Sequence, residues 1–163
     1  VLFVDESVGA TVGVAGLVLA TLQIASSAGR VAAGTLADVL PGTARRRTGT
    51  ILLVQVGVGA VLFLSLPLAD SLLVAGAVFV GLGLSILGSV SLYYSCISTT
   101  VDEEELGAAS AAGQLSVTAS GLVAPPAYGY LVDANGYAAG WGLLSAFAFV
   151  AAALAQVVVL DPR

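Results

Sequence analysis

The order of apolar and polar positions divides the chain into five long apolar segments. A helix crosses the core of a lipid bilayer with about 20 mostly apolar residues, and each of these segments reaches or approaches that length. They cover about residues 8–37, 50–68, 72–97, 107–132 and 138–160. The pattern predicts an all-α, multi-pass transmembrane helical bundle with five crossings. The whole chain, 1–163, forms a single transmembrane domain, and residues 1–4 read as the end of a preceding helix.

Short polar connections separate the segments and contain residues typical of helix ends. Residues 5–7 precede the first segment, and Ser7 is the expected N-cap of that helix. The acidic run 102–105 precedes the fourth segment, where negative charge complements the positive end of a helix dipole. Residues 133–136 are predicted to form a turn. Because every connection is short, no domain boundary is expected.

All five basic residues are arginines, and five crossings place them on one side of the membrane. Arg30 lies near the end of the first segment, residues 45–47 lie in the first connection, and Arg163 is the last residue. The positive-inside rule makes this side cytoplasmic, so the C-terminus is expected in the cytoplasm. Three aromatic residues are expected to form an interfacial belt at the opposite boundary: Tyr130, Tyr137 and Trp141. Tyr93 and Tyr94 are expected to be belt residues on the cytoplasmic side.

Composition excludes a soluble domain. Hydrophobic residues make up 58% of the chain and charged residues 9%, whereas soluble domains carry about 25% charged residues. The outer surface must therefore face an apolar environment, and the lipid bilayer is the expected surroundings. We expect no nucleic-acid partner. The chain begins at Val1 and has no Met, so it is expected to be a piece of a longer protein.

The residue types needed for catalysis or metal binding are scarce. The chain has no His, its one cysteine is Cys96, and no pair of carboxylates falls within the apolar segments. A nucleophile with its base, or a cluster of metal ligands, is therefore not expected. We predict that the protein is not an enzyme and has no catalytic residue, metal or cofactor. A channel component or another non-transporting polytopic subunit stays open as the alternative to a transporter.

Two predicted helix ends share the pattern G-x-L-x-D. One is Gly34–Asp38 and the other is Gly129–Asp133. Five crossings place the two ends on opposite sides of the membrane, as an inverted repeat of three-helix units would. Chance is the alternative, because glycine and leucine are abundant here. An aspartate near a helix C-terminus is unfavourable because its charge repels the negative end of the helix dipole. Each aspartate is therefore expected to have a local interaction that offsets this repulsion.

The first of these patterns, followed by Arg45-Arg46-Arg47, resembles the loop signature of the major facilitator superfamily. That signature reads G-x-L-A-D, a basic residue, then G-R-R or G-R-K. Residues 103–109 and 121–136 are similar to the tenth loop and eleventh helix of the same family. Three positions depart from the family pattern: Val39 replaces a basic residue, Leu106 an arginine, and Ala124 the glycine before proline.

The resemblance implies a place in a larger architecture. The five segments would be helices eight to twelve, the C-terminal half of a twelve-helix transporter, and residues 1–4 would end helix seven. The implied function is secondary active transport of a small solute by alternating access around a site near the membrane midplane. The implied partners are the solute and the missing N-terminal half, and the implied location is the plasma membrane. Coupling to protons or to a counter-solute stays open.

Three polar residues within the crossings are candidates for the solute cavity. By resemblance, Gln23 would line the cavity from helix eight, and Gln114 and Thr118 from one face of helix eleven. The alternative is that these side chains only hydrogen-bond between helices. Gln55, on a peripheral helix, is expected to be interfacial or to serve packing.

The resemblance also implies a gating motif. It consists of Gly34, Asp38, Arg45, Arg46 and Arg47, and it would latch the cytoplasmic helix ends in one conformation. The alternative for the arginines is simple anchoring on the cytoplasmic side.

Two further features of the crossings carry predictions. Arg30 is a candidate for a structural ion pair with Asp38 or with the missing half, and the alternative is snorkelling to the interface. Pro125 and Pro126 remove two backbone donors within the fourth segment, flanked by Gly121 and Gly129. They predict a bend of more than about 20° in that helix.

Overall fold

The computed structural model describes Phe3, Gly9 and residues 11–160, with the backbone alone at Val158 and Leu160. This part of the chain contains helices and no strand. The helices are α1 (Val12–Val39), α2 (Ala44–Ser65), α3 (Leu72–Leu82), α4 (Val90–Thr100), α5 (Leu106–Asn135) and α6 (Tyr137–Leu160). A 3₁₀ turn, Leu66–Leu68, follows α2, and a π-helical segment, Gly83–Leu87, lies between α3 and α4.

Four of the helical stretches are long and apolar enough to cross a membrane: Val12–Val39, Ala44–Leu68, Leu72–Thr100 and Tyr137–Val157. The all-helical, multi-pass prediction is therefore confirmed. α5 is the fifth predicted crossing. It has thirty residues, but its many small and polar residues make it less apolar than the other four. Its crossing of the membrane stays a prediction.

Two helices begin at threonines whose side chains cap them. The Thr11 hydroxyl accepts a hydrogen bond from the Val14 amide (3.4 Å), so α1 starts at Val12. The predicted cap Ser7 lies outside the described residues, as do the acidic residues beside it and Arg163. Thr43 caps α2 in the same way through the Arg46 amide (3.3 Å).

The predicted start of the second helix at residue 50 is therefore wrong. The helix begins at Ala44, and the three arginines 45–47 form its first turn rather than a loop. A search for apolar residues misses a polar first turn, although arginine is a good helix former.

The turn predicted at residues 133–136 is reduced to Gly136. α5 continues to Asn135 and ends at Gly136, which has φ +81° and donates its amide to the Val132 carbonyl (2.7 Å). A glycine in the left-handed region is a common way to end a helix. α6 starts at the very next residue, so α5 and α6 are joined by Gly136 alone.

The third crossing departs from the uninterrupted helix predicted over residues 72–97. It extends to Thr100 and contains the π segment, in which the Gly88 amide donates to the Gly83 carbonyl (2.9 Å). This i to i+5 bond accommodates one extra residue in the turn. The segment packs directly on α1, because a Cβ at Gly29 would lie 2.4 Å from the Leu84 carbonyl oxygen. A Cβ at Gly83 would lie 2.5 Å from the Leu22 carbonyl oxygen.

α2 and α6 also pack through small residues. The buried Ser145 hydroxyl donates to the Ala60 carbonyl (2.8 Å). Ala148 and Ala152 are buried against Val56 and Ala60 in the same contact. Small side chains allow close approach of helix backbones, which is the usual basis of helix association in lipid.

Aromatic side chains fill the end of the bundle where α6 begins. The Trp141 ring lies 5.4 Å from that of Phe3, 6.1 Å from Phe63 and 5.5 Å from Tyr128, measured between centroids. Trp141 is 9% exposed and Tyr137 is half-buried. The buried Trp141 thus packs inside the bundle rather than against lipid, whereas the place of Tyr137 in an interfacial belt stays a prediction. Tyr130 is 78% exposed, and its place in the belt stays a prediction.

Candidate functional site

The opposite end of the bundle, called here the arginine end, is where α1 ends, α2 begins and α4 ends. Arg47 in the first turn of α2 reaches back to the end of α1. Its Nη1 atom donates to the Asp38 carbonyl (3.1 Å) and to the Leu40 carbonyl (3.2 Å). The last carbonyls of a helix have no partner within it, and a cation there also complements the helix dipole. The positive charge of Arg47 thus offsets the unfavourable interaction between the Asp38 carboxylate and the negative end of the α1 dipole.

A cleft of about 300 Å³ lies at the arginine end between α1, α2 and α4. It brings together four residues predicted from the sequence: Arg30, Gly34, Asp38 and Arg47. The rest of the lining comes from Ala37, Ala44, Thr48, Ser91, Leu92, Ser95 and Thr99. The other two arginines of the predicted motif lie apart from it. Arg46 is exposed and lines a separate groove beside the turn at residues 40–42, and Arg45 is half-buried.

Arg30 uses its guanidinium to bind a neighbouring helix. Its Nε atom donates to the Leu87 carbonyl at the end of the π segment, at 3.4 Å. The side chain is exposed and lines the same cleft as Asp38. Its pairing with that carboxylate stays a prediction.

The π segment is held from two sides. Gln55 on α2 donates its Nε2 to the Leu84 carbonyl (3.1 Å), while Arg30 on α1 binds the Leu87 carbonyl. In a lipid environment a backbone carbonyl without a partner is costly. The two side chains therefore satisfy carbonyls of the irregular turn, in accord with the packing role predicted for Gln55. Their involvement with a π segment had no signal in the sequence beyond the glycines 81, 83 and 88 that surround it.

Of the three cavity candidates, the structure gives a side-chain partner to Gln114. Its Oε1 atom accepts a hydrogen bond from the Tyr94 hydroxyl, which joins α5 to α4. Gln23 and Thr118 are exposed. Whether any of the three contacts a solute stays a prediction.

Tyr93 and Tyr94 have a different place from the one predicted. Tyr94 forms the hydrogen bond to Gln114. The Tyr93 side chain packs on Gly113, because a Cβ atom added there would lie 3.1 Å from the Tyr93 hydroxyl oxygen. Both side chains are half-buried at the contact between α4 and α5. These contacts give them interhelical roles that the belt prediction missed.

The paired prolines do not break α5. The helix runs without interruption from Leu106 to Asn135, with Pro125 and Pro126 inside it. Neither Gly121 nor Gly129 has another atom within 4 Å of its Cβ position. The bend at the prolines stays a prediction. Among the described residues, no three His, Cys, Asp or Glu side chains lie together as a metal site would require.

The whole sequence, residues 1–163, matches the family model described as Major Facilitator Superfamily. The chain belongs to this superfamily. No curated protein and no solved structure matches it. Members of the major facilitator superfamily are membrane transporters that move solutes, not enzymes. The helical stretches of membrane length agree with a multi-pass protein of this class.

Proposed function

We propose that the chain forms the C-terminal half of a secondary transporter, helices eight to twelve, which carries a small solute by alternating access. The exposed surface of α5 carries this proposal. Of its thirty residues only Gly113 is buried. The helix exposes the polar residues Gln114, Ser116, Thr118 and Ser120. Ser116 and Ser120 donate to carbonyls of α5 itself and Gln114 accepts from Tyr94, which leaves Thr118 without such a bond among the described residues. Polar side chains at membrane depth require a protein partner or a water-filled cavity, and a second helical bundle around a solute site would provide both.

The two G-x-L-x-D glycines, like several other glycines of the chain, leave room for a second bundle. Gly34 and Gly129 each have no other atom within 4 Å of their Cβ positions. In contrast, Gly29 and Gly83 are in direct contact with a neighbouring backbone. The packing of this chain therefore gives no reason for glycine at the two motif positions. Close approach by another bundle would give one.

Accessibility to water tests the cavity. In a full-length protein from which every cysteine, including Cys96, has been removed, a single cysteine is introduced by Thr118→Cys or, as a control on α6, by Phe147→Cys. Both native side chains are exposed. A membrane-impermeant maleimide should label position 118 from either side of the membrane, because alternating access opens the cavity to each side in turn. The control, which faces lipid, should stay unlabelled.

The same experiment separates the proposal from its alternative. A non-transporting subunit would bury α5 against a permanent partner, so position 118 would be protected from reagent on both sides. Labelling from one side only would fit a fixed vestibule, as in a channel component. Either result would contradict alternating access at this face.

A further inference from the structure

The cleft at the arginine end has hydrogen-bond donors that the protein itself does not use. Arg47 uses Nη1 to bind the end of α1. Its Nε is buried out of reach of a ligand, whereas its Nη2 makes no hydrogen bond among the described residues. An acceptor from outside the chain can therefore bind Nη2.

Arg30, the second cation in the cleft, also has N–H donors that make no hydrogen bond within the described part of the chain. Arg30 donates its Nε–H to the Leu87 carbonyl. A guanidinium has five N–H donors, so four remain for a ligand in the cleft that this side chain lines.

Hydroxyl groups extend the donor set along one wall. Ser91 and Ser95 lie one turn apart on α4, and both line the cleft. The hydroxyls of Thr48 and Thr99 already donate to the Ala44 carbonyl (2.8 Å) and the Ser95 carbonyl (3.0 Å). They can therefore only accept from a ligand. The free donors are concentrated on the two arginines and the two serines.

Charge selects the ligand. Two guanidiniums and one carboxylate, Asp38, line the cleft, so it has one excess positive charge. Guanidinium groups match the oxygens of a phosphate in shape and charge, and buried contacts of this kind are strong. A cleft of about 300 Å³ is large enough for a phosphate with part of its substituent. A phosphodiester carries one negative charge and would balance the excess.

We propose that this cleft binds a phosphate group. Two sources present that chemistry at the end of a transmembrane bundle: the headgroup of an anionic phospholipid, and a phosphate or phosphorylated solute in the aqueous phase. The oxygens would accept from Arg47 Nη2, from the free N–H groups of Arg30, and from Ser91 and Ser95. This proposal concerns binding at the bundle end and does not depend on the solute that is transported.

Direct binding measurements distinguish the two sources. The full chain is purified in detergent, and its retention of phosphatidylglycerol or phosphatidylcholine is compared by native mass spectrometry. Thermal unfolding is then followed with orthophosphate or with chloride at equal ionic strength. Selective retention of phosphatidylglycerol assigns the cleft to lipid. A higher melting temperature with orthophosphate assigns it to a soluble phosphate.

Neighbouring arginines provide a matched control. Arg47→Lys keeps the charge but removes the Nη2 donor and the planar guanidinium, and we expect the bound phosphate ligand to dissociate at least about tenfold more readily. Arg46→Lys is the same substitution one residue away, outside the cleft, and should change nothing. Because Arg47 also caps α1, Ser95→Ala serves as a second variant that leaves the cap intact. It should weaken binding by a smaller factor.

The proposal fails if the wild-type chain neither prefers phosphatidylglycerol nor responds to orthophosphate. It also fails if Arg46→Lys weakens binding as much as Arg47→Lys, because general surface charge would then explain the result. Unchanged binding in Ser95→Ala together with Arg30→Gln would place the ligand elsewhere and overturn the assignment of the cleft.

Discussion

At the scale of single residues, Asp38 shows how one position serves the end of a helix and a cleft. Its backbone carbonyl receives Arg47, and its carboxylate lines the cleft at the arginine end. The backbone contact does not depend on the side chain, so structure and any gating role of the carboxylate are separable by mutation.

Replacement of the Asp38 carboxylate tests its role in gating. Asp38→Ala should reduce solute uptake by the full-length transporter, because the proposed latch loses its negative partner. Membrane insertion should be intact, because Arg47 still binds the backbone carbonyl at position 38. Uptake and membrane-fraction abundance are measured together. Unchanged uptake at equal abundance would remove this carboxylate from the mechanism.

Two glycines on α1 make a matched pair for stability. Gly29→Ala places a methyl group 2.4 Å from the Leu84 carbonyl oxygen, so α1 must move away from the π segment. We expect a loss of about 1–3 kcal/mol in unfolding free energy, as is typical of overpacking. Gly34→Ala meets open space and should raise stability by about 0.5–1 kcal/mol through helix propensity.

Reversible unfolding in mixed micelles measures both variants. The Gly34→Ala chain carries a second expectation: in the full-length transporter the same methyl group should impair uptake if another bundle approaches there. Equal stability of the two variants would contradict the close contact of α1 with the π segment.

At the scale of elements, the third crossing depends on its neighbours. α1 and α2 each contribute one side chain to a carbonyl of the π segment. Gln55→Leu removes one of these bonds with little change in volume and should destabilise the chain by about 1 kcal/mol, within the range for hydrogen bonds between membrane helices. Gln23→Leu changes an exposed glutamine and should be neutral for stability. Equal effects in the unfolding assay would argue against the bond to Leu84.

The elements also show what the sequence can and cannot predict. The lengths of the apolar runs are set by lipid, so the approximate positions of the helical stretches followed from them. The start of α2 could not be predicted from hydropathy, because the residues Arg45 to Arg47 are polar yet helical. The π segment could not be predicted either, because one extra residue in a helical turn does not change the hydropathy pattern.

The predicted site shows the same division. The G-x-L-x-D and arginine pattern located the end of α1, where Asp38 and Arg47 meet. The contact between Tyr94 and Gln114 was missed, because a tyrosine near a helix end suits a lipid interface and a helix contact equally well. Trp141 was misplaced for the same reason. Amphipathic aromatics alone do not distinguish the two environments.

At the scale of the whole molecule, the arginines predict orientation. Arg30 and Arg47 line one cleft at the arginine end, and the positive-inside rule predicts that this end faces the cytoplasm. A green fluorescent protein inserted at Gly42, or fused after residue 163, should fluoresce, while alkaline phosphatase at the same sites should be inactive. An insertion at Gly136 should give the opposite pair of signals. Matching signals at Gly42 and Gly136 would contradict the predicted crossings between them.

The bond from Ser145 to the Ala60 carbonyl links residues 85 positions apart. A ribosome must therefore complete almost the entire chain before the small-residue face of α2 meets its buried neighbour. Until α6 is made, α2 can contact only helices that were synthesised earlier. The Ala60 carbonyl then lacks its hydrogen bond from the Ser145 hydroxyl. The contact between α2 and α6 therefore forms only after α6 has been synthesised, and a nascent chain that stops before α6 lacks it.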